Sequence, residues 1–248
     1  MRAQSSSRIL PAAAIGGAVL LFVGTTLHPM TADPNVPLAA FAEYAADRHW
    51  VASHLIQLFG VLLMSAALVL LSRNMMDGPA EAWALLGGAG AVATLALGLA
   101  LQAVDGVALK VMVDSWAKAA EPAKAVAFQA AFAVRQIEIG LAAMFSLLGG
   151  LTVAIYGIGL LMDRRFPRWI GILALASGAP TAVAGVAIAY TGFSDLEMTI
   201  NMPANALLLL WMVGLGVHGW RQPIPRRTCK AGPLDRPPPA PISGKIQA

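Results

Sequence analysis

The sequence predicts an all-α polytopic membrane protein with six transmembrane helices, and three observations support this fold class. The chain of 248 residues is 58% hydrophobic and 12% charged, about half the charged share of a typical soluble domain. Its charges cluster and leave six apolar segments, each near the roughly 20 residues that a membrane helix needs. Ala and Gly are abundant, whereas the ten-residue alternation of apolar and polar residues typical of a β-barrel does not appear.

The predicted spans cover residues 9–27, 50–71, 83–104, 139–162, 169–190 and 203–220. Several begin or end on Trp or Tyr, which concentrate at membrane interfaces. The first span follows two arginines as a signal peptide would, but its run of about 19 apolar residues exceeds a typical signal core. We therefore expect a retained first span, a short N-terminus (1–8), a six-helix transmembrane domain (9–220) and a disordered Pro/Arg-rich tail (221–248).

Two longer segments connect the spans on one side of the membrane. Residues 28–49 contain three prolines and then a short apolar stretch at 38–46, which predicts one helix lying across the bundle. Residues 105–136 are Ala-rich, with apolar residues at helical spacing and Phe128 and Phe132 one turn apart. We therefore expect spans three and four to extend outside as a helical hairpin with its tip near residues 119–122.

The distribution of Lys and Arg predicts the orientation. With both termini in the cytoplasm, twelve of the 17 basic residues lie inside and five lie outside, as the positive-inside rule requires. The predicted location is a bacterial inner (cell) membrane. The net charge of +4 therefore reflects topology, and we expect the lipid bilayer, and no nucleic acid, as a partner.

Glycines recur every seven residues on the fifth span. Such a stripe lets a neighbouring helix approach closely in lipid, so we interpret it as a packing surface. Its members are Gly171, Gly178, Gly185 and Gly192.

The candidate ligand-binding residues are polar groups near the outer ends of the spans, placed in one layer at the headgroup level. His54 is the strongest candidate, because an ionisable group inside a span is costly and needs a partner. A structural alternative is that these groups only anchor the helix ends or form an ion-pair network between spans three and four. The candidates are His54, Gln57, Gln102, Asp105, Arg135, Glu138 and Asn205.

Short sequence motifs of known chemistry are missing. The chain has no HExxH, GxSxG, Walker A or Rossmann pattern. Its single cysteine, Cys229, excludes an intrachain disulfide and a Cys-pair metal site. We assign no catalytic residue, metal or cofactor from sequence.

Three functions remain open from the sequence. The first is a binding or accessory protein whose outer polar pocket accepts a lipid headgroup or a small polar ligand. The second is an integral-membrane enzyme acting on a lipid-linked substrate, with His54 and Asp105 or Glu138 as acid/base groups or metal ligands. The third, a facilitator or transporter, is disfavoured because no charged residue lies near the middle of a span. The oligomeric state is not indicated.

Several residue groups resemble those that recur in six-span bacterial membrane proteins of unknown function. The resemblance covers about residues 9–220 and implies the six-span architecture, but no activity, cofactor or partner. The groups are His28–Pro29–Met30, the series Phe41, Tyr44, Trp50, His54 and Gln57, Gln102–Asp105–Gly106, Arg135 with Ile137, Glu138 and Gly140, Pro167–Arg168–Trp169, and Tyr190–Thr191–Gly192–Phe193.

Overall fold

A computed structural model describes residues 2–222, with side-chain environments from residue 8 onward. Throughout this part of the chain the regular structure is helical and no strand occurs. In chain order the helices are α1 (Arg2–Leu27), α2 (Pro37–Ala46), α3 (Trp50–Met75), α4 (Glu81–Gln102), a π-helical segment (Ala103–Leu109), α5 (Lys110–Lys118), α6 (Ala123–Met162), α7 (Arg168–Thr191) and α8 (Asp195–Arg221).

Six of the helical stretches are long and apolar enough to cross a membrane, which confirms the predicted fold class. They are Arg8–Leu27, Trp50–Met75, Glu81–Lys118, Ala123–Met162, Arg168–Thr191 and Asp195–Arg221. The predicted disordered tail falls, from residue 223 onward, outside the described residues, and Cys229 lies outside them as well.

The last helix begins eight residues earlier than the sequence analysis placed its span. The predicted span began at residue 203, but α8 starts at Asp195 and continues through Pro203. The hydroxyl of Ser194 accepts a hydrogen bond from the Glu197 amide, so Ser194 caps the helix. The sequence signal for this helix start was the Ser-x-x-Glu capping pattern at 194–197. The polar residues around it made the segment too polar to be counted as part of an apolar span.

Two of the helical stretches are much longer than a bilayer requires. The third runs unbroken for 38 residues and the fourth for 40 residues, about twice the length needed to span the hydrocarbon. They are joined by residues 119–122, where the hairpin tip was predicted. That the extra turns stand outside the membrane remains a prediction.

The short helix α2 was predicted from the apolar stretch at 38–46, and it is present. The ammonium of Lys110 fixes its end by donating to the carbonyls of Tyr44 at 2.8 Å and Ala45 at 2.9 Å. A cation at a helix C-terminus satisfies carbonyls that have no partner within the helix. Lys110 also pairs with Asp114 at 2.9 Å, so α2 is tied to α5.

Close backbone packing joins α6 to α7 through the glycine stripe. A Cβ placed on Gly178 would lie 2.6 Å from the amide nitrogen of Ala154. One on Gly185 would lie 2.3 Å from that of Leu147, and one on Gly171 would meet the carbonyl of Gly157 at 2.9 Å. The packing interpretation is therefore confirmed for these three glycines. Gly192 differs, because it ends α7 with a positive φ of 65°, a conformation that favours glycine.

Two clusters of buried side chains hold the described helices together. The larger one extends along the bundle away from the candidate residues and includes Leu71, Tyr156 and Trp211. The smaller one joins α2, α3, the π-helical segment, α5 and α6 at the other end. Its members are Ala40, Phe41, Tyr44, Trp50, Leu109, Val113 and Ala131. This second cluster positions the candidate site.

The glycine contacts predict different effects for the same substitution at two sites. Gly178→Ala should lower stability by about 1–3 kcal/mol, because its methyl group meets the backbone of α6. Gly140→Ala is the matched control on α6, since a Cβ there meets nothing within 4 Å. It should leave stability unchanged or raise it slightly. Thermal unfolding in detergent measures both; equal midpoints for the two variants would contradict this packing.

Candidate functional site

His54 lies on the first turns of α3 and is almost completely buried, with 2% of its surface exposed. Its Nδ1 is 2.7 Å from the carbonyl oxygen of Trp50, one turn earlier on the same helix. Its Nε2 is 3.1 Å from a carboxylate oxygen of Asp105. Both residues were candidates from sequence, and the structure brings their side chains together.

The π-helical segment brings Asp105 to His54. Segments of this kind widen a helix by one residue per turn and occur often at functional sites. The adjacent Gly106 packs directly against the imidazole, since a Cβ there would lie 2.6 Å from the Cβ of His54. The indole of Trp50 donates to the Asp105 carbonyl at 3.0 Å. The backbone of this segment is therefore held against the start of α3.

His28 completes a group that the sequence analysis did not include among its candidates. It follows the end of α1, and its ring centroid lies 5.0 Å from that of His54 and 4.8 Å from that of Trp50. Its Nδ1 is 2.8 Å from the carbonyl of Pro29. One potential ligand atom from each of His28, His54 and Asp105 lies within 4.8 Å of the others. The available signal was the presence of three histidines within residues 28–54, where the first two spans adjoin.

The imidazole of His28 lies outside the spans and is half-buried. Burial, together with the neighbouring His54, lowers its pKa below the ordinary value for histidine. The ring is therefore neutral at pH 7 and has a free lone pair on one nitrogen.

Gln57 and Gln102 form a second contact, one turn further into the bundle. The amide nitrogen of Gln102 donates to the amide oxygen of Gln57 at 3.3 Å. The oxygen of Gln102 is buried with no hydrogen-bond partner among the described residues. Gln102 and His54 line the same cavity.

Arg135 and Glu138 form an ion pair one turn apart on α6, and both are buried. The guanidinium also lies over the rings of Tyr44, at 5.6 Å, and Phe193, at 5.0 Å. The Nε of Arg135 is buried and, within residues 8–222, has no hydrogen-bond partner. Asp105 does not pair with Arg135 in this part of the chain; it pairs with His54.

Asn205 is not brought to the other candidates. It is exposed on α8 and donates to Asn201 at 3.0 Å, while Asn201 donates to the carboxylate of Glu197 at 2.7 Å. These three side chains form a ladder along their own helix. The expected single layer therefore separates into distinct groups, because helix rotation as well as depth decides which side chains meet.

Loop residues between α1 and α2 are held by Glu43. Its carboxylate accepts hydrogen bonds from the amides of Thr31 at 3.0 Å and Ala32 at 2.9 Å. Partial burial acts to raise the pKa of Glu43, but these hydrogen bonds outweigh it and keep the pKa below its ordinary value. Burial raises the pKa of nearby Tyr44 to about 12, so its phenol stays protonated.

Two cavities adjoin these groups. The first, of about 290 Å³, lies between α3 and α4 with Gln102 and His54 at its polar end. Its other walls are apolar, and four of them (Val51, Leu55, Leu99 and Val107) are themselves exposed, so the cavity opens toward the side that faces lipid. The second cavity, of about 410 Å³, is lined by Asn35, Arg135, Gln136 and residues at the end of α7.

The helices and their apolar surfaces define the class: a multi-pass helical membrane protein. Comparison with protein-family models, curated proteins and solved structures finds no match to this chain.

The His54–Asp105 and Arg135–Glu138 contacts predict two separate energetic couplings. A double-mutant cycle of His54→Gln with Asp105→Asn should give a coupling energy of about 0.5–3 kcal/mol, because the two side chains are in contact. Arg135→Gln with Glu138→Gln should give a similar value. The cycle of Arg135→Gln with Asp105→Asn should give a smaller coupling energy than either of these. A coupling energy larger than theirs would show that the four groups act as a single network.

Proposed function

We propose that the protein binds the acceptor-rich polar group of a ligand, such as a lipid headgroup, in the cavity lined by Arg135. One observation carries this proposal: a buried guanidinium with an unpartnered Nε lines a cavity of about 410 Å³. A buried donor left unsatisfied costs about 1–3 kcal/mol. A phosphate or carboxylate group entering the cavity would supply the acceptor.

The surroundings of Arg135 fit a ligand with a polar group and an apolar part. Asn35 and Gln136 add neutral polar groups, whereas Phe41, Phe132 and Ile139 supply apolar walls. Glu138 offsets the charge of Arg135, so the site does not attract anions by charge alone. It favours an acceptor that is placed to meet the Nε of the guanidinium, which has no partner within residues 8–222.

The proposal is tested with anionic phospholipid in nanodiscs and, separately, with inorganic phosphate. Arg135→Gln should weaken retention of the anionic lipid about 10–100-fold, as loss of a charge-assisted hydrogen bond implies. Arg48→Gln is the matched control, since Arg48 is exposed and does not line the cavity. Native mass spectrometry measures lipid retention.

A second pair of variants excludes misfolding as the cause. Arg135→Gln leaves Glu138 unpaired, so Arg135→Gln with Glu138→Gln removes both charges together and should also lose the lipid. Binding of inorganic phosphate without the lipid would indicate a soluble anion as the ligand. Equal lipid retention by the wild type and both Arg135 variants would refute the site.

The His54–Asp105 pair favours a second candidate, an integral-membrane enzyme acting on a lipid-linked substrate. An imidazole and a carboxylate at 3.1 Å are suited to proton transfer, and His54 lines the apolar-walled cavity between α3 and α4. An acyl chain in that cavity would bring its polar end to the pair. Mass spectrometry after incubation with native lipids should show a converted lipid for the wild type and none for His54→Gln. Unchanged lipids with the wild type would eliminate this candidate.

For location we propose a bacterial inner membrane with both termini in the cytoplasm. The excess of Lys and Arg at one end of the bundle supports this orientation, and an even number of spans places both termini on the same side.

Cysteine labelling tests the orientation. Cys229 should be protected from a membrane-impermeant maleimide in intact cells, because it lies on the proposed cytoplasmic side. Ala120→Cys, in a Cys229→Ala background, should be labelled, because residue 120 lies in the connection between α5 and α6. The reverse pattern would invert the topology.

A further inference from the structure

We propose that His28, His54 and Asp105 bind one divalent metal ion of the zinc class. One potential ligand atom of each residue lies within 4.8 Å of the others. Two imidazoles and a carboxylate form a ligand set that binds zinc and similar first-row metals, with at least one coordination position left open.

Backbone hydrogen bonds orient both imidazoles for this role. The Nδ1 of His28 lies 2.8 Å from the carbonyl of Pro29, and that of His54 lies 2.7 Å from the carbonyl of Trp50. A carbonyl can only accept, so each Nδ1 donates its proton and Nε2 is the nitrogen left for a metal ion. Metal-bound histidines commonly show this arrangement, in which the other ring nitrogen donates to a carbonyl.

A favourable contact between the Nε2 of His54 and the Oδ2 of Asp105 requires a proton or a metal ion between the two atoms. Because Nδ1 of His54 donates to the Trp50 carbonyl, its Nε2 has either a lone pair or an additional proton to offer to the Oδ2 of Asp105, 3.1 Å away. A proton satisfies this pair alone, whereas a metal ion would also bind the imidazole of His28, whose ligand atom lies within 4.8 Å of the other two.

The spacing fits a metal ion. Two metal–ligand bonds of about 2.0 Å at a tetrahedral angle place their ligand atoms about 3.3 Å apart. The His54–Asp105 distance of 3.1 Å already matches this value. The ligand atoms of His28, His54 and Asp105 lie within 4.8 Å of one another. A rotation of the His28 side chain, which is half-buried just beyond the end of α1, would bring its nitrogen to metal-binding distance.

The surroundings hold the ligands in place and leave one acceptor free. Trp50 packs on His54 with ring centroids 4.6 Å apart and donates to the backbone of Asp105. Gly106 permits the close approach of the π-helical segment. The Oδ1 of Asp105 is buried with no partner in the described part of the chain, so it is available to the metal or to a metal-bound water.

The ligand types narrow the choice of metal. Imidazole suits Zn²⁺, Fe²⁺, Co²⁺ and Ni²⁺, whereas Mg²⁺ and Ca²⁺ prefer oxygen ligands. No thiolate is present in the group, which disfavours Cu(I). The site is separate from the cavity lined by Arg135, so this inference does not depend on the headgroup proposal.

The test uses the full-length protein with an affinity tag that contains no histidine. After chelator treatment the purified protein is titrated with Co²⁺, whose visible absorption reports its ligands, and Zn²⁺ is then added as a competitor. We expect one Co²⁺ per chain, displaced by Zn²⁺. His28→Gln, His54→Gln and Asp105→Asn should each weaken binding at least ~100-fold, the upper end of the effects known for supporting residues of metal sites.

The remaining two histidines provide matched controls. His49→Gln and His218→Gln should bind Co²⁺ as the wild type does, because neither residue belongs to the group. Circular dichroism and size-exclusion chromatography check that each variant is folded. If His54→Gln or Asp105→Asn does not fold, Co²⁺ binding by His28→Gln tests the proposal, because His28 lies outside the spans and its replacement should not disturb their packing. Absence of Co²⁺ binding by the wild type, or wild-type binding by folded His28→Gln, would overturn the proposal and leave a proton shared between His54 and Asp105.

Discussion

The need to satisfy buried ionisable groups organises one end of this bundle. His54, Arg135 and Glu138 are each at most 6% exposed, in helices whose outer surfaces are apolar. A charge in such surroundings is costly unless a partner of opposite charge or a hydrogen bond compensates it. His54 meets Asp105 and Arg135 meets Glu138. Because the first of these contacts joins α3 to the π-helical segment, it sets how those two elements approach each other.

The aromatic residues connect the two pairs physically. Tyr44 on α2 lies under the guanidinium of Arg135 and stacks on Trp50, with ring centroids 4.4 Å apart. Trp50 in turn packs on His54. The short helix α2 therefore contacts both groups, and Lys110 fixes its position by binding the carbonyls at its end. A displacement of α2 would change the surroundings of the metal-ligand candidates and of the cavity beside Arg135 together.

The two cavities differ in the chemistry that they offer. The one beside His54 has apolar walls and opens between α3 and α4 toward lipid, which suits an acyl chain. The one beside Arg135 has more polar walls and a guanidinium with a free nitrogen, which suits an acceptor-rich polar group. Close packing of α6 on α7 supports the second cavity, because the glycine stripe brings the two backbones together below it.

The sequence by itself determined the six spans, the short helix α2, the packing role of three glycines and most of the polar residues at the site. These features follow from local composition and spacing, since a membrane helix must be apolar over its length and a packing stripe must repeat on one face. It did not determine which polar groups meet. Depth along each span was predictable from length, but rotation about the helix axis was not, so Asn205 was grouped with residues that it does not contact and His28 was left out. The π-helical segment shifts the face on which Asp105 lies, and only the packing of Trp50 and Gly106 against it directs that carboxylate to His54 rather than to Arg135.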